Sequence, residues 1–446
     1  MAQPYPPPYV VGYHRKSLSA PSVSLPSPPM SSHARLAVLF LLPTALAAAA
    51  SDWPQWHGPT RDCVAAAGTP VPAALPKELK PLWKIAVGAG HSSPVVAGGR
   101  LVFCDENGTK EVAHCLDAKT GKELWNAAYA DRTEDEWGAG PRATPLLDGD
   151  RAYVQSVSGE LRCLSLKDGK VLWGASFEKD FGVKFLGYKA NSGTASRRGN
   201  NGTPVLDGDA VIVPVGSTQG ATLVCFDKLT GKVLWKTGDE EAAYSAPMVG
   251  TLAGVRQVVY LSATSLSGVD RASGKPLWRV PLKTAANRHV ATPVLRGDTV
   301  TVNSHTLGTL CFKVAKDSGG LQATPLWAVK DLKTNLATPA LAGGHFYNQG
   351  ERKDYVCFDA QTGEVKWSQP GFGNGKRDYS STIVVGNRLL VLSEAGELLL
   401  LAASAEKYTE LGRLQVCGGT WSYPAYADGK LFVRDARELA CVELAK

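Results

Sequence analysis

The sequence contains no Cys-x-x-Cys-His, no pair of adjacent cysteines and no Cys/His spacing of the metal-binding kind. Covalently attached haem and a structural zinc are thereby excluded at the level of motif. It also lacks basic runs. Lys and Arg exceed Asp and Glu by seven, and three of those positive charges (Arg15, Lys16, Arg35) fall in the first fifty residues. Such a thin, scattered excess does not point to nucleic acid. No long hydrophobic run follows the N-terminal one, Leu36–Leu42, which is cut by Pro43 and is too short to span a bilayer.

That run has a different meaning. Residues 1–29 are Pro- and Ser-rich and too poor in apolar residues to pack a core. From Met30 the text changes to a short positive region, the apolar run and an Ala-rich stretch, the parts of a secretory signal. Translation is therefore expected to start at Met30, with cleavage near Ala50 and a mature chain, free of transmembrane segments, that is periplasmic or secreted. No Cys follows the signal where a lipid anchor would attach. Nine cysteines in an exported chain invite a disulfide reading, but Cys115, Cys163, Cys225, Cys311, Cys357 and Cys441 occupy one repeated position. Gly268 and Leu400 fill that position elsewhere, so it reads as a small buried slot in which free Cys acts as a compact hydrophobe. Cys104 with Cys115 and Cys417 with Cys441 are the pairings that neighbouring strands would permit.

What is present is a repeat. GTKEVAHCLDAKTGKELW, ending on Trp125, recurs as ELRCLSLKDGKVLW (Trp173), TLVCFDKLTGKVLW (Trp235), SGVDRASGKPLW (Trp278) and YVCFDAQTGEVKW (Trp367), and more loosely at Trp327. Each unit opens on a small residue and Pro before an apolar run: Pro94, Pro145, Pro204, Pro247, Pro293, Pro339 and Pro424, with Thr382 in the Pro place of one unit. Asp-Gly and Ser-Gly turns divide each unit into four short β-prone runs, since Gly takes the positive φ that tight hairpins need. Four-stranded units at about 40–50-residue spacing specify a β-propeller.

Eight openings meet eight closings, Trp83 being the first and Leu411 standing in the Trp place of the seventh unit. After Pro424 there is room for three strands, and the orphan KPLWKI at residues 80–85 supplies the fourth. The expectation is all-β: an eight-bladed propeller of four-stranded antiparallel blades over residues 80–446. An N-terminal strand closes the last blade by pairing around Leu439–Leu444, which leaves no open seam. Residues 51–79 read as an irregular arm across the ring, anchored by Trp53 and Trp56. The seven closing tryptophans Trp83, Trp125, Trp173, Trp235, Trp278, Trp327 and Trp367 read as structural docks.

The phrase D-A-x-T-G-x-x-x-W, at Asp117–Trp125 and Asp359–Trp367, resembles the tryptophan-docking repeat of the PQQ-like propeller superfamily. The opening DWPQWHGPTRD is similar to that of exported bacterial members. The resemblance covers residues 51–446. It implies the propeller fold, and it admits both quinoprotein alcohol dehydrogenases and outer-membrane protein assembly factor B, because one fold hosts many activities.

Loops entering the innermost strands build the functional face of such a ring. Reading three or four residues before each Pro places His91, Arg142, Asn201, Tyr244, His289, Asn335, Tyr379 and Trp421 on a rim, joined by Arg288 and Arg377, with Arg197, Arg198 and Asn200 in the longest loop. Arginines and aromatics around a cavity favour a carboxylate-bearing ligand or peptide. His91 and His289 fall in units one and five, on opposite sides of the axis, so no metal is assigned to them. The acidic run Asp131, Glu134, Asp135, Glu136 reads as a solvated charge run rather than a Ca²⁺ site.

The chain is expected to be a monomeric, non-catalytic scaffold for an envelope protein or peptide, without cofactor and similar in layout to assembly factor B. Two alternatives stand beside it. A PQQ- and Ca²⁺-dependent oxidoreductase of alcohols or sugars would rest on Asp378, the carboxylate beside an inner-strand approach. A carbohydrate-binding propeller would rest on Tyr244, Tyr379 and Trp421.

Overall fold

The computed structural model describes residues 51–135, 137–183, 200–284, 287–334, 336–372 and 379–446. They form eight four-stranded antiparallel sheets, plus a two-residue hairpin at Glu134–Asp135 and Gly138–Ala139. Seven sheets are continuous in sequence. The first runs Val95–Ala97, Arg100–Asn107, Lys110–Asp117, Glu123–Asp131, and the seventh ends with Glu397–Ala402 and Glu410–Gln415. Middle strands are buried on both faces, as in Ala210–Ser217 (AVIVPVGS), because each sheet is sandwiched between two others.

The eighth sheet combines Ala425–Ala427, Lys430–Arg434 and Glu438–Glu443 with Trp83–Ala86 from the other end of the chain. Trp83 pairs with Cys441 and Ala86 with Glu438, so the closing strand starts three residues later than KPLWKI suggests and meets 438–441. Arg434, fully buried, locks this seam by donating to the carbonyls of Cys104 in the first blade and of Gly88 in the segment leading into it, at 2.7 and 2.8 Å.

One register repeats around the ring. The slot residue lies directly across from the closing Trp: Cys115 from Trp125, Cys163 from Trp173, Cys225 from Trp235, Cys311 from Trp327, Cys357 from Trp367 and Cys441 from Trp83. All nine cysteines are free. Five of the seven indoles then lie on the glycine of the next blade's Thr-Gly, Asp-Gly or Ser-Gly turn. Trp83 covers Gly121, Trp125 covers Gly169, Trp173 covers Gly231 and Trp235 covers Gly274. An added Cβ at those glycines would stand 2.6–2.7 Å from the ring, and their φ of about +70° already excludes β-branched residues. The indole N–H donates to a carbonyl just before the turn: Ala118, Leu166, Lys228, Arg271 and, from Trp367, Ser404.

The exceptions explain themselves. The fifth blade has no glycine turn at the docking position; its third and fourth strands run on past it as a long hairpin, Gly308–Asp317 with Gly320–Val329. Trp278 therefore has no dock ahead of it and lies over Gly268 of its own blade, donating to Gln257 Oε1 at 2.6 Å. A Cys at 268 would clash, which accounts for the glycine in that slot.

In the seventh blade Leu400 faces Gly412, and Leu411 is the exposed bulge residue, equivalent to Leu124. The Trp place there is Gly412, not Leu411. The three strands of the eighth blade leave no covalent turn to receive an indole. Leu75 of the arm packs over Gly412 instead, while Pro70 lies against Gly429 and accepts a hydrogen bond from Tyr426 at 2.7 Å.

The residue before the Pro has a role as well in four of the blades. The N–H of Thr144 donates to Thr203 Oγ1, Ala246 to Thr292 Oγ1, Thr292 to Thr338 Oγ1 and Tyr423 to Ser93 Oγ, at 2.9–3.5 Å. Each bond joins one blade's innermost strand to the next, a girdle that holds the strand starts close to the axis.

Candidate functional site

The girdle fixes what lies three residues before each Pro place. His91, Arg142, Asn201, Tyr244, Val290, Leu336, Tyr379 and Trp421 all line one axial cavity of about 180 Å³. Arg288, Trp137, Thr203, Ala246 and the arm's Trp56 complete the lining. Seven rim residues expected from sequence are thus brought together: His91, Arg142, Asn201, Tyr244, Arg288, Tyr379 and Trp421.

His289 is not among them. It is 1% exposed, its Nε2 lies 2.9 Å from the Leu282 carbonyl, and burial beside Arg288 lowers its pKa. Val290 holds the lining place in that blade. The offset of three residues is uniform, and choosing polar residues over the uniform offset is what displaced the reading to His289. Leu336 likewise takes the place in the sixth blade; Asn335 lies outside the described residues, as do Arg377, Asp378, Arg197 and Arg198. Asn200 is buried and donates to the Val157 carbonyl rather than lining the cavity.

The walls differ around the ring. On one side His91 stacks on Trp421 at 5.0 Å and its Nε2 lies 3.1 Å from the Trp137 carbonyl, while Trp421 donates to Glu394 at 3.1 Å. Arg142 donates to the Gly138 carbonyl at 3.2 Å, tying the second blade's approach to the short hairpin that carries Trp137. Val290 and Leu336 make the facing wall apolar. Behind Arg142 sits Glu111, fully buried and accepting from Tyr129 and Thr133; burial pushes its pKa up to about 7.

Trp56 comes from a segment that sequence periodicity cannot place. The arm is stitched across the axis: Trp53 pairs with Val96, Pro54 accepts from Leu147, Arg61 donates to the Pro204 carbonyl, and Val64 bridges to Val384. Trp56 donates to Thr292 Oγ1 at 3.2 Å and stacks on His57 at 4.2 Å. His57, Arg61 and Cys63 hold left-handed backbone, with φ of 60–66°, so the arm turns tightly over the ring centre. Arg61 is buried with no carboxylate partner among the described residues, which drops its pKa to about 9.

Guanidinium and aromatic groups suit the carboxylates of a planar quinone. Its Ca²⁺ needs several oxygen ligands, usually including carboxylates. Among the described lining residues the oxygen donors are Asn201, Thr203 and the two tyrosines, and none is a carboxylate. The described lining therefore does not fit that metal. Among the described residues no cluster of three His, Cys, Asp or Glu side chains is placed to hold an ion.

The sequence matches the family described as outer membrane protein assembly factor BamB over residues 64–200, 186–323 and 262–405. It is 24% identical over 361 residues to the outer membrane protein assembly factor BamB of Burkholderia pseudomallei, covering 72% of this chain and 87% of that protein. To the protein of the same name from Shewanella oneidensis it is 23% identical over 387 residues, covering 81% and 88%. Among solved structures, BamB from Moraxella catarrhalis superposes with a TM-score of 0.56 at 16% identity, over 81% of this chain and 97% of that one. The computationally designed Ika8 protein gives a TM-score of 0.53 at 11% identity, over 81% and 96%. These two structural likenesses speak to the fold alone.

Proposed function

Because the chain belongs to the family of outer membrane protein assembly factor BamB, we propose that it is an exported, non-catalytic scaffold that binds proteins of outer-membrane assembly from the periplasmic side. The observation that supports this is the continuity of the family match, which runs from the arm at residue 64 to the seventh blade at residue 405. The physical design suits a platform. Docked tryptophans and inter-blade bonds at four of the innermost strands brace the ring, so the described part of the axial face is held in a set geometry, and little ordering entropy is lost when a partner binds there. Among the described residues no helix is long and apolar enough to cross a membrane.

The test is reconstitution. The mature protein, mixed with the purified periplasmic region of the outer-membrane assembly machinery of its own cell, should co-elute as a defined complex. Absence of a complex, together with substrate-dependent dye reduction in the presence of PQQ and Ca²⁺ that is lost in Asp378→Asn, would overturn the scaffold reading.

A further inference from the structure

The arm carries a buried positive charge with half of its hydrogen-bonding edge unused. Arg61 is 4% exposed, and its Nη1 donates to Gln55 Oε1 and to the Pro204 carbonyl at 3.2 and 2.9 Å. Its Nε and Nη2 have no partner among the described residues. Those two nitrogens form one edge of the guanidinium, the planar fork that holds an anion side-on. Asp62, the adjacent carboxylate, is engaged elsewhere, accepting from Thr60 Oγ1 and from the Val64 N–H at 2.7 and 3.1 Å. Even with its pKa dropped to about 9, Arg61 keeps its charge at neutral pH. A buried charge without a counter-charge is costly, and the arm nevertheless holds it there.

His57 belongs to the same loop. The Cys63 N–H donates to its carbonyl at 2.9 Å, which closes residues 57–63 into a tight turn bearing both side chains. The imidazole is buried and packs on Trp56 and Tyr423 at 4.2 and 4.6 Å, yet neither ring nitrogen has a partner among the described residues. Burial, with Arg61 nearby, keeps the ring neutral, so it offers one donor and one acceptor.

The strand starts beside the loop add orphan hydroxyls. Ser92, Thr144 and Ser381 are buried, and their hydroxyl oxygens also lack partners among the described residues. Thr144 bonds to Thr203, next to the Pro204 that holds Arg61. Ser92 and Ser381 each adjoin a residue bonded to Tyr423, on which His57 packs. Buried polar atoms are almost always paired, so a cluster of orphans around one charge marks the place of something that answers them.

We propose that the loop of residues 57–63 and the adjoining strand starts enclose one small monovalent inorganic anion of the halide class, held side-on by Nε and Nη2 of Arg61 and by the N–H of His57. Charge sets the valence: Arg61 supplies one positive charge and His57 none. The remaining imidazole nitrogen then accepts from a neighbouring hydroxyl. The anion ties the arm to the ring, and because the loop that holds it exists only in the folded chain, its concentration sets part of the stability.

The experiment uses the full mature chain, unfolded in urea to release any retained ion and refolded in sodium gluconate, chloride or bromide at one ionic strength. The folding constant should rise about tenfold for each tenfold rise in chloride or bromide above half-saturation, the slope for one ion, and should not respond to gluconate. Crystals of the bromide-refolded protein should show an anomalous peak within hydrogen-bond reach of Arg61 Nε and Nη2. Arg61→Gln should abolish the halide response, and Arg61→Lys, which keeps the charge but not the fork, should weaken it. Should neither variant fold, the bromide peak in the unchanged chain decides.

Water density without an anomalous signal at the fork overturns the proposal, the orphan atoms then being satisfied by solvent. Equal folding constants in gluconate and chloride overturn it as well. So does a halide response that Arg61→Gln leaves intact, since the ion then binds elsewhere.

Discussion

Replacing Trp235 by Ala tests the contact that repeats most often in the ring. The side chain is 8% exposed, lies on Gly274 of the next blade and donates to the Arg271 carbonyl at 3.0 Å. Burying roughly 200 Å² at about 25 cal/mol per Å² gives ~5 kcal/mol, reduced to about 3–4.5 by the compactness of denatured chains. Stranding the carbonyl adds about 1 kcal/mol. The expected loss is therefore about 4–5.5 kcal/mol, at the upper end of buried aromatic truncations.

The same contact can be broken from the other side. In Gly274→Ala the new Cβ would fall 2.6 Å from the indole at a φ of +72°. Left-handed strain of about 1–2 kcal/mol and a displaced ring costing about 1–3 kcal/mol then add together. In the double variant the ring is gone and only the backbone strain remains. The two changes should fall short of additivity by about 1–3 kcal/mol when stability is measured by urea unfolding followed by circular dichroism. Additivity within about 0.5 kcal/mol would show that indole and glycine do not share an energetic contact, and the docking account would be wrong.

Three further outcomes follow from the structure. Ile85→Pro removes a ladder N–H at the pairing with Leu439, where the ring closes, and should cost about 3 kcal/mol in the same assay; an unchanged midpoint would mean that closure contributes nothing. Leu75→Ala empties the place over Gly412 that a Trp fills in other blades and should cost about 1–2 kcal/mol, whereas Leu411→Ala, at an exposed bulge, should be near neutral. Glu111, with a folded pKa near 7 against about 4.5 unfolded, keeps its proton in the folded state across that window. Stability from this group is therefore full below about pH 4.5, falls as pH rises towards 7 and is flat above, an upper bound of about 3 kcal/mol. Glu111→Gln should show a shallower loss between pH 5 and pH 8 than the parent, and parallel curves would refute the assignment.

The ring itself was legible because its grammar is local. A Thr-Gly turn, a small residue before Pro and a Trp at fixed spacing are each demanded within a few residues by turn geometry and strand pairing. Repetition then turns them into a blade count, and three strands at one end with one at the other require closure through Trp83–Ala86. Six of the eight inner-strand places of the cavity lining were legible for the same reason, since three residues before Pro is a fixed distance along an innermost strand, whereas the fifth and sixth were assigned to His289 and Asn335 instead of Val290 and Leu336.

Other features depended on what a distant element does, and no periodicity encodes that. Gly412 holds the Trp place of the seventh blade because the arm brings Leu75 there. Gly268 replaces Cys because the fifth blade offers Trp278 no turn to lie on. His289 turns into the core while Val290 faces the axis, although polarity alone favours the histidine. Trp56 lines the cavity because an irregular segment with three left-handed residues crosses the ring and is fastened to blades far apart in sequence. Local turn chemistry and repeat spacing determined the blades; contacts between segments hundreds of residues apart decided that an arm residue, Trp56, lines the axial cavity.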